Sequence, residues 1–325
     1  IEEAVVPSFI RIISSSAFNS CDSLQKVDFL DDSKLQIIGE MAFFDIKINK
    51  IKIPKHVIEI GKLAFGYCDQ LEEIEFSKNS ELRIIKESSF CYTGLTKVVI
   101  PSSVVEIQKN AFSFCYELKE FEFEKNSKIK CLGDEVFQDT PVEVISFPEN
   151  LLEFNERWLT ETTNLTEIKI PPKNKNFVFY EDKYLIGKSD IKSNTFDILY
   201  FARRDIEEAE IPPFIRIISP FAFNCCQSLE KVEFSNDSKL QIIGYYSFSD
   251  TALESICIPQ SVVEIRSNVF ENVGLQKVEF EPNSMLKKIC EYAFYDLQIT
   301  EILIPSNVIK ICESAFNYCR FLECV

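Results

Sequence analysis

The chain carries only 8 glycines in 325 residues, too few for a fold built on glycine-rich phosphate or dinucleotide loops. It has one histidine, His56, so any Ser-His-Asp or Cys-His catalysis would have to run through that residue. His56 follows Pro54-Lys55 at the start of a coil, where a solvated turn histidine is the plainer reading. Its 12 cysteines include no Cys-x-x-Cys pair, which removes the usual local zinc spacing. Basic charge is short as well. Lys and Arg number 35 against 51 Asp and Glu, giving a net charge of −16 and a pI near 4.7, the opposite of a nucleic-acid binder's footprint and repelled by anionic lipid. No apolar run reaches the roughly 18 residues that span a bilayer. Ile1-Glu2-Glu3 lacks the basic and apolar regions of a signal peptide, so a targeting or anchoring signal is expected outside this segment.

What is present is repetition. Ala-Phe-x-x-Cys recurs as Ala17-Phe18 to Cys21, Ala64-Phe65 to Cys68, Ala111-Phe112 to Cys115, Ala222-Phe223 to Cys226 and Ala315-Phe316 to Cys319. With Phe43, Phe90, Phe137, Phe248, Phe270 and Phe294 as weaker anchors, the spacings run 25, 22, 25, 22, 25 and later 25, 22, 24, 22. A period in the twenties is one coil of a leucine-rich solenoid and too short for a helix-pair repeat. Residues 1–45 match residues 206–250 at 30 of 45 positions, so both ends read as interior to a longer array.

Within one unit, residues 53–76 run Ile-Pro-x-x-Val-x-x-Ile, then Ala64-Phe65-x-x-Cys68, then Leu71-x-x-Ile74-x-Phe76. The last run alternates with period 2 and predicts a strand of a parallel sheet, stacked at about 4.8 Å per coil. Val57-x-x-Ile60 predicts a second short extended segment, and residues 61–67 a single helical turn that points Phe65 inward. Phe18, Phe65, Phe112, Phe223 and Phe316 are the expected core column. The longer coils carry an extra polar turn at Asp32-Ser33, Asn79-Ser80, Asn126-Ser127, Asp237-Ser238 and Asn283-Ser284, where Asx and Ser side chains satisfy turn backbone. Cys21, Cys68 and Cys115 lie two coils apart, about 10 Å, beyond bridging reach, and are expected to be free core thiols. A disulfide among Cys290, Cys312, Cys319 and Cys324 stays open, and with it the redox compartment.

The register breaks between Leu159, which stands at a Phe anchor, and Phe223. Residues 182–187 and 194–200 flank a polar stretch and predict a β-hairpin. Its aromatics, Phe177, Phe179, Tyr180, Tyr184, Tyr200 and Phe201, are expected to pack onto neighbouring coils. Three blocks result: repeats over 1–171, a hairpin island over 172–210 and repeats over 211–325. Gly187-Lys188-Ser189 imitates the tail of a phosphate-binding loop, but Asp182 stands where the first glycine belongs and the context is hairpin. Asn164-Leu-Thr166 and Asn236-Asp-Ser238 are glycosylation sequons.

The full repeat, Ile-Pro-x-x-Val-x-x-Ile-x-x-x-Ala-Phe-x-x-Cys-x-x-Leu-x-x-Ile-x-Phe, resembles the BspA-like, or Treponema pallidum-type, leucine-rich repeat, over most of the chain. The resemblance implies a mainly β fold with short helical turns: a curved, right-handed leucine-rich-repeat solenoid with parallel strands on its concave face. It also implies a cell-surface antigen that binds host proteins or other cells.

Outward strand positions are free of packing duty. The last such place holds Asp28, Glu75, Glu122, Lys169, Glu233 and Glu279 in the longer coils and Lys52, Val99, Ser146, Cys257 and Leu303 in the shorter. Two residues earlier stand Lys26, Glu73, Glu120, Glu167, Lys231 and Lys277. Glu73, Glu75, Glu120 and Glu122, with Asp28 and Lys26 beside them, are the candidate ligand-binding residues, the partner being a host cell-surface or matrix protein, or a glycan. No two carboxylates are focused at one cleft, so the chain reads as non-enzymatic, with no cofactor, no metal and no nucleic-acid partner. An intracellular repeat scaffold is the alternative.

Overall fold

The computed structural model describes residues 2–152 and 154–324. It divides into two compact units, Ile1–Lys175 and Asn176–Val325, each built from stacked coils.

In the first unit the period-2 runs form strands where expected: Glu3–Val6, Lys26–Phe29, Lys50–Ile53, Glu73–Phe76, Lys97–Ile100, Glu120–Phe123, Val144–Ser146 and Glu167–Lys169. They pair in parallel, with Glu3 opposite Lys26, Lys50 opposite Glu73, Lys97 opposite Glu120 and Val144 opposite both Glu120 and Glu167. The second wall is a six-stranded parallel sheet of two-residue strands, among them Ile37–Ile38, Glu59–Ile60 and Ile84–Ile85, taken in chain order. The alternation is strict because one face is buried: Ile74 is buried while Glu73 and Glu75 are exposed.

Residues 61–67 are not a helical turn. Alternate amides reach forward to the next coil: Leu63 N–H donates to Glu87 C=O at 3.0 Å, Phe65 to Ser89 at 2.8 Å and Tyr67 to Cys91 at 2.8 Å. Aiming every second amide along the stack requires a left-handed residue at each end of the Ala-Phe pair, and Leu63 and Tyr67 have φ of 53° and 61°. The same pair recurs four residues apart as Met41 and Asp45, Ser88 and Tyr92, and Asn110 and Phe114. Backbone pairing between coils thus replaces the helix that the Ala-Phe pair suggests.

The aromatic column is as expected. Phe18, Phe43, Phe65, Phe90 and Phe112 stack with centroids 5.2, 5.3, 5.4 and 5.3 Å apart and planes within 11°. Phe65 and Phe112 are fully buried, and Phe18, in the first coil, is half-buried. The polar turns behave as read: Ser33, Ser80, Ser127, Ser238 and Ser284 each accept an amide two residues on through Oγ. Asn79 and Asn126 adopt φ of 57° and 60°, which asparagine tolerates better than most residues.

The second unit repeats the design. Phe223, Phe248, Phe270, Phe294 and Phe316 stack at 4.9 to 5.9 Å. Tyr184–Gly187 pairs antiparallel with Ile198–Ala202, the expected hairpin, and Phe177–Tyr180 adds a third antiparallel strand on its far side. Ile198–Ala202 then runs parallel to Ile217–Ile218, so the three antiparallel strands form one end of an eight-stranded sheet. The hairpin therefore caps this unit's sheet edge, which would otherwise be an open pairing surface. Phe177, Tyr184 and Phe201 are buried in it.

Candidate binding surface

Glu73, Glu75, Glu120 and Glu122 all project from the long-strand wall of the first unit, with side chains 38 to 54% exposed. The structure brings them together in two pairs, and each pair is held by a lysine from the preceding coil. Lys50 Nζ lies 2.8 Å from Glu73 Oε1 and 2.8 Å from Glu75 Oε1. Lys97 Nζ lies 2.7 Å from Glu120 Oε2 and 3.1 Å from Glu122 Oε1. Parallel register causes this, since Lys50 stands directly opposite Glu73 and Lys97 opposite Glu120. The hydrogen bond from Lys50 holds the Glu75 carboxyl below the usual carboxylate range, and Lys97 does the same for Glu120. Both ammonium groups are in turn raised above the ordinary amine value.

Lys52 stands opposite Glu75, so four carboxylates share the patch with three lysines. The surface is a lattice of alternating charge with little net sign. Lys26 and Asp28 pair along one strand at 2.8 Å, on the same wall two coils before Glu73. Lys50 and Lys97 were missed because the place two residues before the last outward one was read in the longer coils alone. They occupy that place in the shorter coils, and tabulating it for every coil would have found them.

Other sequence features resolve into structure. His56 is half-exposed, with Nδ1 3.1 Å from Glu81 Oε2. Gly187 lies beneath aromatic rings, where a Cβ would meet Tyr200 Cε2 at 2.7 Å and Phe177 Cδ1 at 2.9 Å. Lys188 sits over the Phe196 ring at 5.0 Å, and Ser189 donates from N and Oγ to Asp197. That stretch is a packed hairpin end and no phosphate cradle. Cys68 and Cys115 are buried free thiols whose Sγ donates to the Phe43 and Phe90 carbonyls at 3.0 and 3.1 Å, and burial pushes both up to about 12. Cys21 departs from the expectation: it is exposed, because no described coil precedes the first one to cover it.

In the second unit, adjacent two-residue strands place Cys290 and Cys312 side by side with Glu291, their ligand atoms within 4.8 Å of one another. Glu264, bonded to Lys288 at 2.9 Å, receives the Cys290 thiol at 3.4 Å. Such cross-coil neighbours are invisible to a search for Cys-x-x-Cys.

Comparison with known proteins agrees with this architecture. A family model for the BspA type leucine rich repeat region (6 copies) matches residues 1–99, 83–200 and 194–323. No curated protein sequence matches. Among solved structures, the pneumococcal vaccine antigen PcpA superposes with a TM-score of 0.69 at 20% identity, over 99% of this chain and 70% of that one. A leucine rich cell surface protein from Faecalibacterium prausnitzii gives 0.61 at 18%, covering 100% and 87%. A leucine-rich repeat protein from Bacteroides ovatus gives 0.55 at 21%, covering 99% and 77%. No helix among the described residues is long and apolar enough to cross a membrane.

Proposed function

Because the chain belongs to the BspA-type leucine-rich repeat family, we propose that it is a non-catalytic protein-recognition module displayed at a cell surface. In this reading it adheres to a host cell-surface or matrix protein through the charged strand wall of residues 50–122. The observation that carries it is the lattice in which Lys50 and Lys97 each clasp two glutamates across neighbouring coils. Exposed ion pairs of this kind add little stability, whereas a fixed alternating pattern supplies register and selectivity to a partner of complementary pattern. Repeat arrays place partners on such extended sheet surfaces. The surface setting draws support from solved relatives described as a vaccine antigen and a cell surface protein.

The test is adhesion of the purified chain to host cells and to a panel of immobilised matrix proteins. Glu73→Lys, Glu75→Lys, Glu120→Lys and Glu122→Lys together should abolish adhesion and its dependence on salt. Unchanged adhesion by a variant with a normal circular dichroism spectrum overturns the assignment.

A further inference from the structure

The second left-handed position of the turn ladder holds Ser20, Asp45, Asp139 and Glu161 in the first unit, and Cys225, Asp250, Asn272, Asp296 and Tyr318 in the second. These are mainly types that tolerate φ > 0. Three successive coils of the first unit place aromatic rings there: Tyr67, Tyr92 and Phe114, at φ of 61°, 56° and 58°.

The three rings form a partly exposed stack, 4.5 Å from Tyr67 to Tyr92 and 4.5 Å from Tyr92 to Phe114, with planes within 19°. Tyr116 stands across it, 6.1 Å and 74° from Tyr92 and 6.4 Å and 67° from Phe114. Tyr92 is covered on both faces by its stacking partners. Tyr116 itself is 59% exposed. The rings line a groove of about 320 Å³ whose rim carries Asp45, Asp69 and Glu117 against a single cation, Lys47. Lys47 is spent on the two aspartates, at 3.3 and 3.1 Å. Among the described residues no cation pairs with Glu117.

We infer that this groove is a binding site for an arginine side chain of a partner polypeptide, the guanidinium stacking on the exposed ring of Tyr116 and donating to Glu117. Arginine fits better than lysine because a planar guanidinium both stacks on an aromatic face and forks onto a carboxylate. The site is at the turn edge, separate from the strand wall, and stands or falls without it.

The probe is acetyl-Gly-Arg-Gly-Arg-Gly-amide, titrated into the whole chain by calorimetry, with lysine and citrulline versions beside it. The arginine peptide should bind most tightly and the neutral citrulline peptide not at all. Tyr116→Ala and Glu117→Gln should each weaken binding about fivefold, in line with a part-desolvated cation–π contact, while Tyr116→Phe, which keeps the ring face, should match the wild type. The strand-wall charge reversals should leave peptide binding in place, so the two assignments fail separately. Three results overturn the inference: no binding of the arginine peptide, equal binding of arginine and lysine peptides untouched by Tyr116→Ala, or occupation of the groove by neutral oligosaccharides in preference to the peptide.

Discussion

Replacing Phe65 by Ala removes the centre of the first unit's aromatic column. Phe65 is fully buried between Phe43 at 5.3 Å and Phe90 at 5.4 Å, so the change leaves a cavity that neighbouring coils cannot close without breaking their own backbone ladders. Loss of a buried Phe costs about 4 kcal/mol. Phe18 has one stacked neighbour, Phe43 at 5.2 Å, and is half-buried, so Phe18→Ala should cost about half as much. Coils interact mainly with their nearest neighbours, and the readout should therefore be local hydrogen exchange. The Phe43 amide, bonded to Ala64 C=O, and the Tyr67 amide, bonded to Cys91 C=O, should exchange about a thousandfold faster in Phe65→Ala, at roughly 1.4 kcal/mol per decade. The Phe147 amide, bonded to Lys169 C=O several coils away, should be unaffected. Equal losses for the two variants, or acceleration spread evenly to Phe147, would refute the column as a chain of nearest-neighbour contacts.

Thiol labelling of the folded protein at pH 8 should modify Cys21 and Cys324, which are exposed, while Cys68 and Cys115, held at about 12 by burial, react only on unfolding; uniform labelling contradicts this. Lys50→Ala should raise the Glu75 titration midpoint toward the ordinary carboxylate value, read by carboxyl NMR, and a fixed midpoint would show that Lys50 is not its cause. Since the folded Glu75 value is lowered, its stabilising contribution is complete above the unfolded value of about 4.3 and is lost as pH falls through the folded one. Lys50→Ala should lack that acid-side loss. Gly61→Ala would press a Cβ to 2.6 Å from the Gly39 backbone, whereas a Cβ at Gly274 meets nothing within 4 Å. Thermal melts should show the first losing about 3 kcal/mol and the second losing none; similar melts would refute the close coil contact.

Much of this was legible because a solenoid repeats its own instructions. Each Phe anchor meets its equivalent one coil on, so spacing alone predicts the stack. The Asx-Ser turns were legible because their hydrogen bonds span two residues, and the 182–200 hairpin because its strands adjoin in sequence. Residues 61–67 misled because the amides that would close a helical turn have a better partner in the next coil, and that partner is not local. Glu73 and Glu75 looked like a bare acidic pair until register set Lys50 between them. Tyr67, Tyr92, Phe114 and Tyr116 went unnoticed since each, taken singly, is an ordinary loop aromatic.

The order of residues by itself determined the coil length, the inward columns and which side chains are left facing solvent, because each depends on periodicity along one chain. Tertiary structure alone decided which of those solvent-facing groups touch, since contacts between coils join residues 21 to 28 apart in sequence and depend on a register within one residue. A shift of a single position would turn the lysine clasps inward and dissolve the aromatic groove, with the composition unchanged.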